Sequence, residues 1–208
     1  EGFRDVIEIG RCQRLIPGSL FHIKFVRPKP LIPRSRRFEV RERMLKDGTV
    51  ATPLTEAALE EVAVALAAAE PEAVAVCFLH SYANPAHERL ARTFLARRFP
   101  ASHLSTSHEV VGEFREFERF SSTIMNASVA PGTSRYLTRL EAALVERGYR
   151  ARLQIMASNG GTMTPRGFEM GLTFSSFGAF QRVLTHPEPF ALIETEMPRL
   201  PDQIDLTP

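Results

Sequence analysis

The sequence predicts an α/β layer sandwich, because segments with two different apolar periods alternate along the chain. Runs whose apolar residues recur every three or four positions indicate amphipathic helices, and between them lie short apolar or alternating runs typical of strands. The chain has 208 residues, 44% of them apolar, and can therefore bury one ordinary hydrophobic core. We divide it into an extended connection over residues 1–50, an α/β core over residues 51–163 and a loosely organised tail over residues 164–208.

The overall composition excludes several classes of protein. With 26 basic and 24 acidic residues the net charge is only +2, which gives no reason to expect nucleic acid or a membrane as a partner. The two cysteines, Cys12 and Cys77, are too few for a disulfide scaffold. No apolar run approaches the roughly 20 residues that span a bilayer, and no signal peptide is evident, so we expect a cytoplasmic protein.

The first 50 residues predict an extended connection followed by an edge strand. Four prolines between residues 15 and 34 exclude a long helix there. Residues 24–46 carry nine basic and two acidic side chains, a local excess of seven positive charges. Within that stretch Phe38 and Val40 alternate with Arg37 and its charged neighbours, which predicts a strand with one solvated face. A nucleic-acid site is the less favoured interpretation, because no aromatic stacking platform accompanies the charges.

Two helices and two strands are predicted in the first half of the core. Thr55 is placed to cap a helix whose apolar residues follow the i, i+3, i+4, i+7 spacing. A short buried strand covers residues 73–79, and Asn84 then caps a helix whose first residue is Pro85. Residues 103–107 form another short strand.

Two more helices and one strand follow. The helices cover about residues 113–130 and 133–147, and the dipeptide Pro131-Gly132 separates them. Gly148 is well placed as the residue after the second helix. Apolar and polar residues alternate over 152–157, which predicts a strand. The periodicity then fails in the proline-rich tail.

The segment Ser158-Asn159-Gly160-Gly161 directly follows that strand and is a candidate ligand-binding turn. Ligands of open α/β sheets collect beyond the carboxyl ends of strands, and glycines let backbone N–H groups approach an anion closely. We therefore nominate Asn159, Gly160 and Gly161 for contact with a nucleotide or a substrate. The alternative is a simple hairpin turn, for which an Asn-Gly pair is equally typical.

His80 stands at the carboxyl end of the strand predicted over residues 73–79. A neutral imidazole both donates and accepts hydrogen bonds, so His80 could orient a substrate. The alternative is a polar group satisfied within the protein. His87 is seven residues further on, beyond a predicted helix start, so a zinc pair is not indicated.

Four donors recur on the helix that begins near residue 113. Their spacing of i, i+4, i+7 and i+11 places them on one helix face, where they could hold a carboxylate or phosphate. They could equally pair with the glutamates of the same helix. The four are Arg115, Arg119, Ser122 and Asn126. No residue spacing nominates a nucleophile, and neither a G-x-x-x-x-G-K-[ST] loop nor a G-x-G-x-x-G turn occurs.

Taken together, five segments resemble the hydantoinase A and 5-oxoprolinase family, whose members also resemble acetone carboxylase subunits. Their order and spacing cover about four fifths of the chain. The segments are EGFRDVIEIGR at 1–11, RFEVRER at 37–43, AVAVCFLHSYANPAHE at 73–88, EFREFER at 113–119 with its continuation to Asn126, and SNGG at 158–161.

The resemblance implies part of an actin-like, ribonuclease H-like ATPase domain with a mixed sheet and flanking helices. It implies that ATP with Mg activates a small cyclic amide, such as a hydantoin or 5-oxoproline, for hydrolytic ring opening. It also implies a hydantoinase B-type partner subunit or domain. Under this resemblance the polar candidates near the ligand are Asn159, Gly160, Gly161, Arg115, Arg119, Asn126 and His80.

Two departures lead us to expect a chain that is incomplete by itself. The family opens with a Gly-Gly-Thr-rich phosphate turn ahead of the segment that matches Glu1, and here the sequence begins at Glu1 rather than at a Met. The family's later Ser-Gly-Pro-Ala-Gly-Gly segment is poorly matched by residues 172–179. A non-catalytic remnant or interaction module and an acetone carboxylase-like subunit are the alternatives.

Overall fold

The computed structural model describes residues 2–9, 29–156 and 162–165. Much of the predicted connection, at residues 10–28, and nearly all of the predicted tail lie outside the described residues. The described elements, in chain order, are α1 (Val6–Ile9), a 3₁₀ turn (Arg34–Arg36), β1 (Arg43–Met44), β2 (Val50–Thr52), α2 (Glu56–Ala67), β3 (Ala73–Val76), α3 (Ala86–Arg98), β4 (His103–Thr106), α4 (Ser107–Val110), α5 (Glu116–Glu146), β5 (Ile155–Met156) and β6 (Thr162–Met163).

A parallel pair of strands with helices on both faces forms the centre of the fold. β3 pairs with β4 in parallel from Ala73 opposite His103 to Val76 opposite Thr106, and α3 is the crossover between them. Leu104 packs with α2 and α3, whereas the hydroxyl of its neighbour Ser105 accepts a hydrogen bond from α5. Because successive strand residues face opposite ways, α2 and α3 cover one face and α5 covers the other. The α/β expectation is confirmed.

The helix predicted from Thr55 is confirmed with its cap. The Thr55 hydroxyl accepts a hydrogen bond from the Ala58 N–H at 3.2 Å, which satisfies one free donor of the first turn. The next helix begins at Ala86, one residue later than predicted, with Pro85 in the cap position. The Asn84 side chain still accepts from the Ala86 N–H at 3.0 Å, so it fixes this start as expected.

The prediction of two helices separated at Pro131 is wrong, because α5 runs unbroken from Glu116 to Glu146. Buried residues continue across the proline, with Ala130 before it and Thr133 and Leu137 after it. Packing of this continuous stripe against the sheet outweighs the one hydrogen bond that proline cannot donate. Gly148 follows the helix end at φ +87°, as predicted, since this left-handed backbone suits glycine.

The strand predicted around residues 37–44 is only partly present. Only Arg43 and Met44 form a strand, and they pair antiparallel with β2. Arg37, expected on a solvated face, has a side chain only 7% exposed. The prediction failed because partners outside its strand enclose it: the guanidinium lies 3.0 Å from Asp5 and 2.9 Å from Glu8.

The strand predicted over residues 152–157 is reduced to β5, which pairs antiparallel with β6. Residues 157–161, which include Asn159, Gly160 and Gly161, lie between these two strands in sequence and outside the described residues. Among the helices that the structure describes, none is long and apolar enough to cross a membrane.

Candidate functional site

A cleft of about 820 Å³ lies between the N-terminal segment, the turn after β3 and the start of α5, and we call it the N-terminal cleft. Phe3 and Phe117 give it apolar walls, and His80 and Arg115 supply polar groups. Its volume is within the range of roughly 300–1,000 Å³ typical of sites for small molecules. The N-terminal cleft is therefore the candidate ligand site among the described residues.

Among the described residues, the structure brings two of the predicted site residues together and places two others apart from them. His80 and Arg115 line the N-terminal cleft, whereas Arg119 and Asn126 are 0% and 1% exposed in the core. The predicted shared helix face is wrong for Arg115, because this residue precedes α5 with φ +86°. Its side chain is consequently displaced from the stripe that continues through Arg119.

His80 presents one ring nitrogen to the protein. It adopts a left-handed backbone with φ +56°, and its Nδ1 lies 2.9 Å from the carbonyl oxygen of Met44. Since a carbonyl only accepts, Nδ1 carries the proton of this hydrogen bond. In the neutral ring Nε2 is then an acceptor. The Tyr82 ring packs edge-on at 6.0 Å and helps to fix the imidazole plane.

The charges around the N-terminal cleft balance. Asp5 pairs with Arg34 at 3.1 Å, and this hydrogen bond and charge hold the pKa of the Asp5 carboxyl below its usual value of 3.8. Glu39 accepts from the backbone N–H of Gly2 at 2.6 Å. The lining includes four arginines and four carboxylates: Arg4, Arg34, Arg43, Arg115, Asp5, Glu39, Glu116 and Glu118. This balance suits a neutral polar ligand better than a polyanion.

Beside the N-terminal cleft lies a buried polar network centred on Glu88, which sequence reasoning missed. The Glu88 side chain is 0% exposed. Its Oε1 accepts from the Phe78 N–H at 2.8 Å and from the Ser107 hydroxyl at 2.6 Å. Its Oε2 accepts from the backbone N–H of His108 at 2.9 Å, and His108 Nδ1 lies 2.8 Å away. One carboxylate thus ties α3 to the ends of both central strands.

A signal for Glu88 is present in the sequence. Glu88, Ala91 and Leu95 stand at i, i+3 and i+7, and all three are buried on α3. A carboxylate in phase with the apolar stripe of a helix must find donors in the core, because an unpaired buried charge is very costly.

Arg119 completes the network from α5. Its guanidinium donates to the carbonyl of Phe78 at 3.0 Å, to the carbonyl of Glu113 at 2.8 Å and to the Ser107 hydroxyl at 3.2 Å. Because Ser107 gives its one proton to Glu88, Ser81 is the donor in the 2.9 Å contact between the two serine hydroxyls. Arg119 therefore positions the backbone after β3 and does not reach the N-terminal cleft.

The remaining buried groups act in packing. Asn126 donates to the Ser105 hydroxyl at 2.9 Å and joins α5 to β4. Burial, followed by the nearby charge of Glu88, raises the pKa of the Cys77 thiol, so this cysteine is a poor nucleophile. The described part of the chain contains no group of three or more His, Cys, Asp or Glu residues that could hold a metal ion.

Two family models match this chain. The model described as the hydantoinase/oxoprolinase N-terminal region matches residues 1–99, and the model described as hydantoinase/oxoprolinase matches residues 119–176. An uncharacterised protein of Methanocaldococcus jannaschii is 40% identical over 161 residues, which are 77% of this chain and 23% of that protein.

Several relatives have names that state an activity, among them two bacterial subunits. The caprolactamase subunit alpha of Pseudomonas jessenii is 31% identical, over 77% of this chain and 23% of that protein. The acetone carboxylase beta subunit of Xanthobacter autotrophicus is 30% identical, over 84% of this chain and 26% of that protein. The chain thus spans about a quarter of the length of these relatives.

Solved structures show the same similarity. The nucleotide-free acetone carboxylase superposes with a TM-score of 0.69 at 27% identity, over 80% of this chain and 25% of that one. The ATP-dependent caprolactamase of Pseudomonas jessenii also gives 0.69, at 30% identity, over 79% of this chain and 24% of that one.

Proposed function

Because this chain belongs to the hydantoinase/oxoprolinase family and spans part of the length of its relatives, we propose that it forms part of an ATP-dependent enzyme that hydrolyses a cyclic amide. The ATP-dependent caprolactamase among its relatives supports this substrate class. We further propose that the α/β core belongs to an actin-like, ribonuclease H-like ATPase domain. The enzyme would be cytoplasmic and would act together with a hydantoinase B-type partner subunit or domain.

The N-terminal cleft is the observation that carries the choice of a cyclic amide. Such a ring offers one carbonyl acceptor, one N–H donor and several methylene groups. Arg115 supplies donors, His80 Nε2 supplies an acceptor when the ring is neutral, and the Phe3 and Phe117 rings supply apolar surface. These groups match a neutral ring with a donor and an acceptor on adjacent atoms.

The described cleft fits ATP poorly. A triphosphate requires an excess of cations or of backbone N–H donors, whereas here four carboxylates offset four arginines. We therefore propose ATP as a cofactor of the whole enzyme, with Asn159, Gly160 and Gly161 near the nucleotide or the substrate. Mg would be bound largely through the phosphates of ATP, since this ion often takes only one or two protein carboxylates.

A chimeric enzyme tests the proposal. Residues 1–156 of this chain would replace the matching part of the caprolactamase subunit alpha. The resulting chimeric subunit would be produced together with the other subunits of that enzyme. ADP release would be followed with caprolactam, 5-oxoproline or hydantoin. We expect ADP release that depends on one of these amides. A folded chimera that assembles but releases no ADP with any of them would contradict the proposal and favour the non-catalytic remnant.

Single substitutions in the chimera test the site. Arg115→Ala should raise the KM for the amide about tenfold, which corresponds to the loss of one hydrogen bond from a charged donor. Arg150→Ala is the matched control, because Arg150 is an exposed arginine outside the N-terminal cleft. Equal KM values for the two variants would show that the cleft is not the amide site.

Carboxylation is the second candidate function, favoured by the similarity to the acetone carboxylase beta subunit. The two functions differ in the co-substrate. ADP release that requires acetone together with bicarbonate, and that no cyclic amide stimulates, would establish carboxylation in place of amide hydrolysis.

A further inference from the structure

His80 is held in a backbone conformation that few side chains tolerate. Its φ of +56° lies in the left-handed region, and its carbonyl oxygen accepts hydrogen bonds from the N–H groups of Ala83 at 2.9 Å and Asn84 at 3.2 Å. Among the described residues other than glycine, three have a positive φ, and two of these three, His80 and Arg115, line the N-terminal cleft. Such conformations cluster at functional sites, where the surrounding structure maintains them. The orientation of His80 is therefore a property that the fold enforces.

The hairpin of β1 and β2 supplies the first constraint on the imidazole. Nδ1 donates to the carbonyl of Met44, a residue only 1% exposed, at 2.9 Å. Asn84 Nδ2 donates to the carbonyl of Gly48 at 2.9 Å and so attaches the turn after β3 to the same hairpin. The bond to Met44 keeps the proton on Nδ1 and leaves Nε2 as an acceptor. One hydrogen bond does not fix the ring plane, however, because the χ2 torsion of histidine is broad.

The Tyr82 ring supplies a second constraint. Its centroid lies 6.0 Å from that of the His80 ring, and the two planes meet at 68°, which is an edge-to-face pair. Because this contact depends on the angles of both rings, it restricts the rotation that the hydrogen bond leaves free. Tyr82 is not among the described residues that line the N-terminal cleft. Its effect on a ligand there would therefore pass through His80.

Arg119 fixes the Tyr82 ring in turn. The guanidinium carbon lies 5.4 Å from the centre of that ring, which is a cation–π contact. Arg119 is 0% exposed, and its guanidinium donates to the carbonyl groups of Phe78 and Glu113. Removal of the charge from water strengthens its attraction to the ring. A chain of contacts thus leads from the buried polar network through Tyr82 to His80.

We propose that Tyr82 is a positioning residue of the N-terminal cleft. Held by Arg119, it keeps the His80 imidazole in the orientation and tautomer that present Nε2 to the N–H of a bound cyclic amide. The identity of this ligand rests on the proposed function, whereas the state of the His80 ring is a property of the free protein. Tyr82 acts through its ring and not through its hydroxyl, so phenylalanine should replace it and an aliphatic side chain should not.

Nitrogen-15 NMR of the histidine rings tests this inference in the 208-residue chain at about pH 8, where an ordinary imidazole is neutral. Protonated and unprotonated ring nitrogens resonate at different positions, so the spectrum reports the tautomer, and the signals missing from His80→Asn identify the ring. In the wild type and in Tyr82→Phe, His80 should have a protonated Nδ1 and an unprotonated Nε2. In Tyr82→Leu, the signals should shift towards a mixture of both tautomers.

Tyr149→Leu is the matched control for the NMR experiment, because Tyr149 is 58% exposed and is not among the residues that line the N-terminal cleft. This variant should give the wild-type His80 signals, and circular dichroism would establish that all variants are folded. A mixture of tautomers already in the wild type would overturn the proposal. So would a Tyr82→Leu spectrum equal to that of the wild type, or one equal to that of Tyr149→Leu.

Kinetics of the chimeric enzyme distinguish positioning from a general loss of structure. Tyr82→Leu should raise the KM for the amide about fivefold and change kcat less, whereas Tyr82→Phe should retain wild-type values. In a His80→Asn background, Tyr82→Leu should cause no further rise, because its effect passes through the imidazole. An unchanged KM in Tyr82→Leu would contradict the proposal. A chimera inactive in every form would contradict the proposed function alone, and the NMR result would still decide the role of Tyr82.

Discussion

At the scale of single residues, Glu88 and Arg119 do most to hold the loops around the N-terminal cleft. Both are fully buried, and both bond backbone atoms of Phe78, directly after β3. A buried charge of this kind is tolerated only when its hydrogen-bonding capacity is filled. The two side chains therefore determine where the backbone that leads to His80 can lie.

Glu88→Gln tests that role. The amide nitrogen of glutamine would face two of the donors that now bond the carboxylate and would leave them unsatisfied, so we expect a loss of about 2–3 kcal/mol in the free energy of unfolding. Urea denaturation measures it. Glu61→Gln is the control, since Glu61 is exposed on α2. Similar losses in the two variants would show that the network contributes little.

A pH effect is expected at the β1–β2 turn. Asp47 accepts hydrogen bonds from the Thr49 hydroxyl at 2.5 Å and from the Thr49 N–H at 2.9 Å, and they hold the pKa of its carboxyl below 3.8. A carboxyl group whose pKa is lowered by folding stabilises the protein at pH values above its pKa in the unfolded chain. This stabilisation disappears as the pH falls through its pKa in the folded protein. The turn should therefore weaken below about pH 4.

Carboxyl NMR titration checks this expectation. Thr49→Val removes the hydroxyl donor and should raise the pKa of Asp47 towards 3.8, whereas Thr138→Val, at an exposed position of α5, should leave it unchanged. An unchanged Asp47 pKa in Thr49→Val would mean that another group depresses it.

At the scale of elements, packing decides where helices end as much as local sequence does. Thr55 and Gly148 act through the backbone of their own helix, and both were placed correctly. Pro131 also acts locally, yet α5 continues through it. Its effect on one hydrogen bond is small beside the burial of the residues that precede and follow it on the same stripe.

Pro131→Ala should stabilise the protein by about 1–3 kcal/mol, since alanine restores the missing donor and favours a helix interior. Urea denaturation measures the change, with Pro53→Ala, outside the helices, as the control. A loss of stability in Pro131→Ala would indicate two helices that the proline separates, as the sequence alone suggested.

At the scale of the whole molecule, ion pairs attach the N-terminal segment to the rest of the fold. Arg37 contacts Asp5 and Glu8 and donates to the carbonyl of Ile32, so one guanidinium joins parts of the chain about 30 residues apart in sequence. Because the N-terminal segment forms one wall of the N-terminal cleft, the cleft requires residues 2–9 to remain attached in this position.

The double variant Asp5→Asn with Glu8→Gln tests this attachment by hydrogen exchange. We expect amides of residues 6–9 to exchange at least tenfold faster, because the buried Arg37 loses both charged partners, while amides of β3 and β4 keep their rates. The control is Glu56→Gln with Glu60→Gln, which removes two exposed ion pairs, to Arg97 and Arg98, that contribute little. Faster exchange in β3 and β4 as well would mean that the segment supports the core itself.

The sequence by itself determined the α/β class, the helix periodicity, the cap at Thr55 and the two central strands. Each of these features depends on residues within a few positions of one another, so the local residue spacing predicts it directly. His80 also emerged as a candidate from its position at a predicted strand end, and Arg115 emerged from a stripe of donors on one face of a predicted helix.

Only the tertiary structure decided which polar side chains are buried and which reach a ligand. Arg37 was expected on a solvated face and Arg119 near a ligand, yet both are buried by partners that include Glu8, 29 positions from Arg37, and Phe78, 41 positions from Arg119. The proximity of His80 and Arg115 in the N-terminal cleft and the continuity of α5 through Pro131 have the same origin. Each depends on contacts between segments that are distant in sequence, and local sequence patterns do not predict such contacts.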